Sequence, residues 1–408
     1  MSDRTATVRA PAESRHAVDA GAAAAPAAWG GVFALALAAF ALVASEFMPV
    51  SLLTPVAADL GASEGQAGLA ITVSGAFALV TSLSIASLAG RLDRKLLLAG
   101  LTFLMIVSGS IAAFAPTYAG FMAGRAFIGV AIGGFWSLSA ATAMRLVSAD
   151  RVPTALAIVN GGNALATVVA APLGSYLGTL VGWRGAFFCV VPVAAAALVW
   201  QLVSLPSLPA RHGQRGAGAL ALLKRLPVAL GMTAASLFFM GQFALFTYLR
   251  PFLEAVTGVA PSALSLMLLV VGLCGVVGTF AIGRFLGDGL ARTLAVIPLA
   301  MAGIAVALTV LGTSAGATAV LLGAWGLLGT SAPVAWWTWL ARTLPDDAEA
   351  GGGLLVAVVQ LAIAAGAAAG GMLFDAYGYQ ATFGGSAAIL LLAALFAVSA
   401  GRAARLPA

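Results

Sequence analysis

Apolar runs between polar breaks divide the chain into twelve segments, each near the ~20 residues that a helix needs to cross a bilayer core. They run near 29–56, 67–89, 96–115, 118–144, 152–180 and 184–204, then 228–249, 262–283, 291–312, 316–341, 352–374 and 380–400. The runs are continuous and do not alternate at period two, so the pattern predicts helices and excludes a membrane barrel. The longest polar interruption after the first span is 205–227, which parts six spans from six. Both sets carry a Gly-Arg turn after their second span: Gly90-Arg91-Leu92-Asp93-Arg94-Lys95 in the first, and Gly283-Arg284 followed by Asp288 in the second. The two turns lie 193 residues apart, about half the chain. Internal repetition of this kind predicts an all-α membrane protein with two pseudo-symmetric six-helix bundles. The expected parts are a disordered tail (1–28), a first bundle (29–204), a linker (205–227), a second bundle (228–401) and a short tail (402–408).

Composition removes the alternatives. Of the 408 residues, 62% are hydrophobic and 8% charged, where soluble proteins carry roughly 25% charged. With a mean hydropathy of +1.05 such a chain cannot cover itself with a wetted surface. A soluble enzyme is excluded, and so is a disordered scaffold.

The net charge of +6 is a topology signal rather than a nucleic-acid signal. With the N-terminus in the cytoplasm, seventeen of the twenty Lys and Arg residues fall in inner segments. Only Arg184 and Arg250 fall outside, and Arg125 lies within a span. This follows the positive-inside rule, and predicts a multi-pass protein of the cell inner membrane with both termini cytoplasmic. Cys189 and Cys274 sit singly in apolar runs, while His16 and His212 fall in polar segments, so neither a metal site nor a disulfide framework is expected. Gly312-Thr313-Ser314-Ala315-Gly316 matches a hydrolase pattern, but it falls at a turn between spans with both histidines on the other side. No nucleotide-binding G-x-x-x-x-G-K-[ST] occurs, so neither an ATP-driven pump nor a cofactor is expected.

Several short motifs are specific. Besides the turn containing Gly90, Asp93 and Arg94, span four carries Arg125, Gly129 and Gly133 in an Arg-xxx-Gly-xxx-Gly pattern, and span five carries Ala171-Pro172-Leu173-Gly174. In this order they resemble the major facilitator superfamily, in its twelve-span proton-antiporter branch. Ser45-Glu46-Phe47-Met48-Pro49-Val50-Ser51-Leu52-Leu53-Thr54-Pro55, Gly133-Gly134-Phe135-Trp136-Ser137, Gly241-Gln242-Phe243-Ala244 and Phe246-Thr247-Tyr248-Leu249-Arg250-Pro251 are similar to the purine-ribonucleoside-exporting members of that branch. The resemblance implies a monomeric secondary transporter that moves inosine- and guanosine-like compounds outward in exchange for protons. Sugar and multidrug exporters of the same branch are the alternative, because they share much of the first span. An intramembrane enzyme or sensor is a more distant one.

Of fourteen carboxylates, Glu46 is the only one well inside a span. An ionised acid at the bilayer centre costs ~2.5–3.5 kcal/mol on insertion scales, so one kept there marks function. Glu46 lies 14 residues above Val32 and Arg125 lies 7 below Tyr118, which puts both about 9–10 Å from the outer boundary of a ~30 Å core. Glu46 is therefore expected to alternate between a carboxylate paired with Arg125 and a protonated acid; a permanent ion pair orienting spans one and four is the alternative. Gly129, Gly133 and Gly174 are expected to let helices approach closely. A nucleoside needs aromatic faces and amide groups, for which Gln242, Asn163, Trp336, Asn160, Trp136, Phe243, Phe246 and Gln360 are the candidates. Arg250 is expected to be an interface anchor or an outer-gate group.

Overall fold

The structure is a computed structural model, and it describes residues 28–88, 92–148, 151–209, 219–286, 289–344 and 347–403. Gly90, Arg91 and Asp288 of the two turns lie outside the described residues, as do the expected N-terminal tail and the middle of the linker. The first half of the chain forms α1 (Trp29–Leu60), α2 (Glu64–Leu88), α3 (Arg94–Phe114), α4 (Tyr118–Arg145), α5 (Val152–Phe188) and α6 (Val190–Ser204). The second forms α7 (Leu226–Phe246), the short α8 (Leu249–Phe252), α9 (Pro261–Ala281), α10 (Leu290–Leu311), α11 (Ala315–Thr343) and α12 (Ala348–Ala403). A π turn over Leu253–Thr257 continues α8. Local chemistry sets several ends. Asp93 caps α3, Thr117 caps α4 and Ser314 caps α11, each accepting from an amide of the first turn. Gly61 ends α1 at φ 63°, a conformation that L side chains rarely adopt.

Ten of these helical stretches are long and apolar enough to cross a membrane. Two of them, Thr154–Ser204 and Gly351–Ala403, have 51 and 53 residues, more than twice the ~20 that one crossing takes. Each doubles back at a glycine of positive φ, Gly182 at 73° and Gly378 at 79°. In an unbroken helix Thr382 would stand about 18 Å from Gly370; instead its hydroxyl donates to the Gly370 carbonyl at 3.2 Å. Likewise Val169 and Val193 line one small apolar pocket, together with Ala44 and Met48 of α1. The polar breaks read between spans five and six, and between eleven and twelve, are these reversals.

The helix pairing repeats. In the first half α1 packs on α5, α2 on α4 and α3 on α6; in the second α7 packs on α12, α9 on α11 and α10 on α12. One end of the assembly gathers Ala28, bonded to Leu146, and Arg94, bonded to Leu208. Ala291 and Gly401 meet at the corresponding end of the second half. This is the termini side. The halves meet along α2 against α12 and α5 against α9. On the opposite, far side, Asp375 of α12 accepts from the Ser63 hydroxyl and, at 2.9 Å, from the Gly65 amide at the start of α2. The Tyr248 hydroxyl, which donates to the Ala367 carbonyl of its own half at 2.8 Å, also reaches the Gly65 carbonyl of α2 at 3.4 Å, and Thr72 donates to the Ala364 carbonyl at 2.9 Å. These contacts close the seam in the far half of the helices.

Candidate functional site

Two prolines inside α1 organise the site. A proline has no N–H, so the carbonyl four residues before it loses its helical partner. Pro49 thereby frees the carbonyl of Ser45, and Pro55 frees that of Ser51. Each is taken by an arginine. Arg125 of α4, buried to 1% exposure, donates to the Ser45 carbonyl at 2.9 Å and the Glu46 carbonyl at 3.3 Å. Its remaining donors reach the Ala70 carbonyl at 3.2 Å and the Ser74 hydroxyl at 3.3 Å, both on α2. Arg250 of α8 donates across the seam to the Ser51 carbonyl and is steadied by Glu254 at 2.8 Å.

Glu46 and Arg125 thus lie at one level of the assembly, but the guanidinium is engaged by main-chain and hydroxyl oxygens. No ion pair joins it to the Glu46 carboxylate among the described residues. The Glu46 side chain, 8% exposed, instead lies beside that of Gln360 of α12, within the electrostatic reach of Arg125. The one acid well inside a span therefore sits at the seam, against a group from the opposite half. Gln360 was expected as a cargo contact, and the structure sets it beside the acid.

Aromatic rings gather next to this acid. Phe47, the neighbour of Glu46, stacks on Phe243 of α7 with ring centres 5.8 Å apart, and Phe246 meets Phe243 edge-on at 6.0 Å. Trp136 joins them on the α4 flank, where it packs with Phe40 and Phe47 around Ala44, Ala166 and Ala170. Gln242 lies beside Phe243 in sequence but points toward Gly329 of α11, and its carbonyl oxygen is buried without a partner. Asn160 is exposed and bonds its own helix at the Leu156 carbonyl; Asn163 is half-buried on the same helix. Trp336 is buried in the second-half core, edge-on to Trp339.

The glycines serve approach. A Cβ on Gly129 or Gly133 would strike the backbone of α2 at Ser74 and Ala78, and one on Gly174 would meet the Ser51 hydroxyl at 2.6 Å. Pro172 lies within α5 and removes the partner of the Val168 carbonyl, against which Gly272 of α9 packs. Asp93 accepts from the Lys95 amide at 2.7 Å, the Leu208 amide at 2.9 Å and the Ser207 hydroxyl, tying the start of α3 to the segment after α6. Burial opposes ionisation of Asp93, but these donors, with Arg145 nearby, outweigh it and hold its carboxyl below the usual range. Arg94 beside it buries one guanidinium nitrogen without a partner. Phe47, Tyr248, Asp375 and the two prolines of α1 are site or seam residues that sequence reasoning did not single out.

The chain matches the model of the Major Facilitator Superfamily over residues 35–352. It is 63% identical over 378 residues to the transcription regulatory protein OpdE of Pseudomonas aeruginosa, covering 92% of this chain and 94% of that one. It is 40% identical over 367 residues to the purine ribonucleoside efflux pump NepI of Salmonella typhimurium, covering 90% and 92%. Among solved structures, the nucleoside transporter NupG superposes with a TM-score of 0.75 at 13% identity, covering 91% of this chain and 98% of that one. A bacterial homologue of the human lysosomal transporter Spinster, inward-facing and occupied, superposes at 0.74 and 15% identity, covering 93% and 97%.

Proposed function

We propose a cargo, a driving ion and a topology for this chain, which belongs to the Major Facilitator Superfamily. It is a proton-coupled antiporter that exports purine ribonucleosides by alternating access. Twelve spans form two six-helix bundles, 29–204 and 228–401, in the inner membrane, working as a monomer. The termini side faces the cytoplasm, in keeping with the placement of Lys and Arg, so the far side is outer. The observation that carries the cargo is the 40% identity, across 90% of the chain, to a purine ribonucleoside efflux pump. The site chemistry agrees with it. The rings of Phe47, Phe243, Phe246 and Trp136 offer faces for a purine, and the unpartnered Gln242 carbonyl, with Asn160 and Asn163, offers groups for its edge and the ribose.

Glu46 takes a proton when the seam is open outward and releases it when the cavity opens inward. The membrane potential adds ~2.3 kcal/mol per charge per 100 mV to that drive. Arg125, held by carbonyls, keeps α1 and α2 in place around the acid. Labelled inosine uptake into everted vesicles tests the reading, with and without a proton gradient, for wild type and Glu46→Gln. Gradient-dependent uptake that the variant loses is expected. No inosine uptake by inserted protein would overturn the cargo and leave sugars or amphipathic drugs.

The regulatory name of the 63% identical relative favours a second reading, in which the chain influences transcription. An exporter does so without touching DNA when its cargo is an inducer, because export lowers the internal concentration. Deleting the gene and adding the cargo externally should then change the same transcripts.

A further inference from the structure

The carbonyls freed by Pro49 and Pro55, those of Ser45 and Ser51, lie six residues apart on α1, yet their captors come from different halves of the molecule. Arg125 belongs to the half that contains α1; Arg250 belongs to the other. We propose that Arg250 and the Ser51 carbonyl form the clamp that holds the outer side shut, and that Pro55 is present in α1 to create its acceptor. The outer side is defined by the topology proposed above; the clamp itself rests on the geometry alone.

An ordinary helical carbonyl is already engaged by the amide one turn on, and offers an incoming cation only its second lone pair. The carbonyl at Ser51 has no such partner, because position 55 carries no N–H. It is fully buried, so when Arg250 leaves, this oxygen needs water or another donor. Arg250 is correspondingly committed. It is 7% exposed, its Nε donates to Glu254 at 2.8 Å, and Glu254 presents its second oxygen buried and unpartnered. A cation fixed by its own helix and an acceptor without a helical partner meet across the seam. Separation of the halves on this side must break a charge-assisted bond at both ends. Tyr248 and Asp375 close the same side on the carbonyl and amide of Gly65, at the start of α2. The Arg125 grip, by contrast, lies within one half and travels with it.

The test reads opening of the outer side directly, without reference to cargo or protons. Ile71 of α2 is 2% exposed and packs among second-half residues, so Ile71→Cys reports separation there. With Cys189 and Cys274 replaced by serine, a membrane-impermeant thiol reagent is applied to right-side-out and to everted vesicles. Arg250→Gln is expected to raise the labelling rate from outside about tenfold, the weight of one charge-assisted hydrogen bond. Pro55→Ala, which restores the N–H and alters no polar side chain, is expected to raise it about threefold. Pro49→Ala is expected to leave it within twofold of the parent. A rise below twofold in either Arg250→Gln or Pro55→Ala overturns the clamp. So does an equal rise in Pro49→Ala, which would trace the effect to helix stiffness. Labelling confined to everted vesicles would overturn the proposed orientation alone, and the same comparison would then be read on that face.

Discussion

The guanidinium of Arg125 closes at 2.9 Å on the main-chain carbonyl of Ser45, an acceptor left without a helical partner by Pro49. The buried cation of the first half is thus solvated chiefly by oxygens of α1 and α2, the Glu46 carbonyl among them, while the Glu46 carboxylate acts on it through space. That division assigns separate tasks to two residues which, by depth alone, form a simple pair. Arg125 holds helices together, and the proposed mechanism leaves Glu46 to change its protonation and its contact with Gln360.

Arg125→Lys is therefore expected to cost more stability than Glu46→Gln. A lysine presents three donors from a point and cannot span four acceptors on two helices, so about 2–4 kcal/mol should be lost. Glu46→Gln keeps the shape and the contact with Gln360, and should cost under about 1 kcal/mol. Unfolding of both variants in the same detergent decides it. Equal losses would mean that the attraction between the two charges, rather than the carbonyl grip, binds α4 to α1.

Gly129→Ala and Gly133→Ala each place a methyl group into the main chain of α2, which cannot turn aside as a side chain can. Overpacking of this kind costs about 1–3 kcal/mol. Gly303 of α10 has nothing within 4 Å of a would-be Cβ, so Gly303→Ala should be neutral or gain up to about 1 kcal/mol from helix propensity. Melting of the three variants side by side checks the contrast, which disappears if α2 and α4 have room to separate.

How much of this was legible in the sequence depends on what carries each contact. The polar breaks at Trp183-Arg184 and Asp375 to Tyr379 located both reversals, and counting residues from the span ends put Glu46 and Arg125 at one depth. What Arg125 binds was not legible, because a main-chain carbonyl has no letter of its own. The prolines that free those carbonyls were in view, but a helix apolar on every side does not tell which face meets a neighbour. For the same reason neither the stacking of Phe47 on Phe243 nor the edge-on packing of Trp336 on Trp339 can be read from the sequence. The Tyr248 and Asp375 contacts join residues 119 and 310 positions apart through backbone atoms, beyond any local pattern.

Asp93 gives a pH dependence outside the membrane. Its carboxyl is held below the ordinary value of 3.8, because the donors around it outweigh burial, so the folded state binds a proton there less readily than the unfolded chain. The stabilisation is complete above that ordinary value and is lost as the pH falls through the lower folded value. Unfolding followed from about pH 5 to about pH 3 should steepen at the acid end for wild type and flatten for Asp93→Asn. Asp93→Ala, which removes the cap of α3 as well, should cost about 1 kcal/mol at neutral pH. An unchanged acid slope in Asp93→Asn would place the sensitivity in another group.

Gln242 sets affinity against stability. Its carbonyl oxygen is buried with no donor to satisfy it, and an unpaired acceptor costs the empty protein about 1–3 kcal/mol. Gln242→Leu removes that acceptor and keeps the bulk, so the empty protein should melt unchanged or higher. A purine N–H or ribose hydroxyl that pairs with this oxygen during transport then has no partner, and the KM for inosine should rise about tenfold or more. The proton dependence, which the proposed mechanism places on Glu46, should stay as it is. Measuring melting without cargo and uptake kinetics on the same preparation separates the outcomes. A loss of stability with unchanged KM would mean that the Gln242 amide supports α11 at Gly329 and does not meet the cargo.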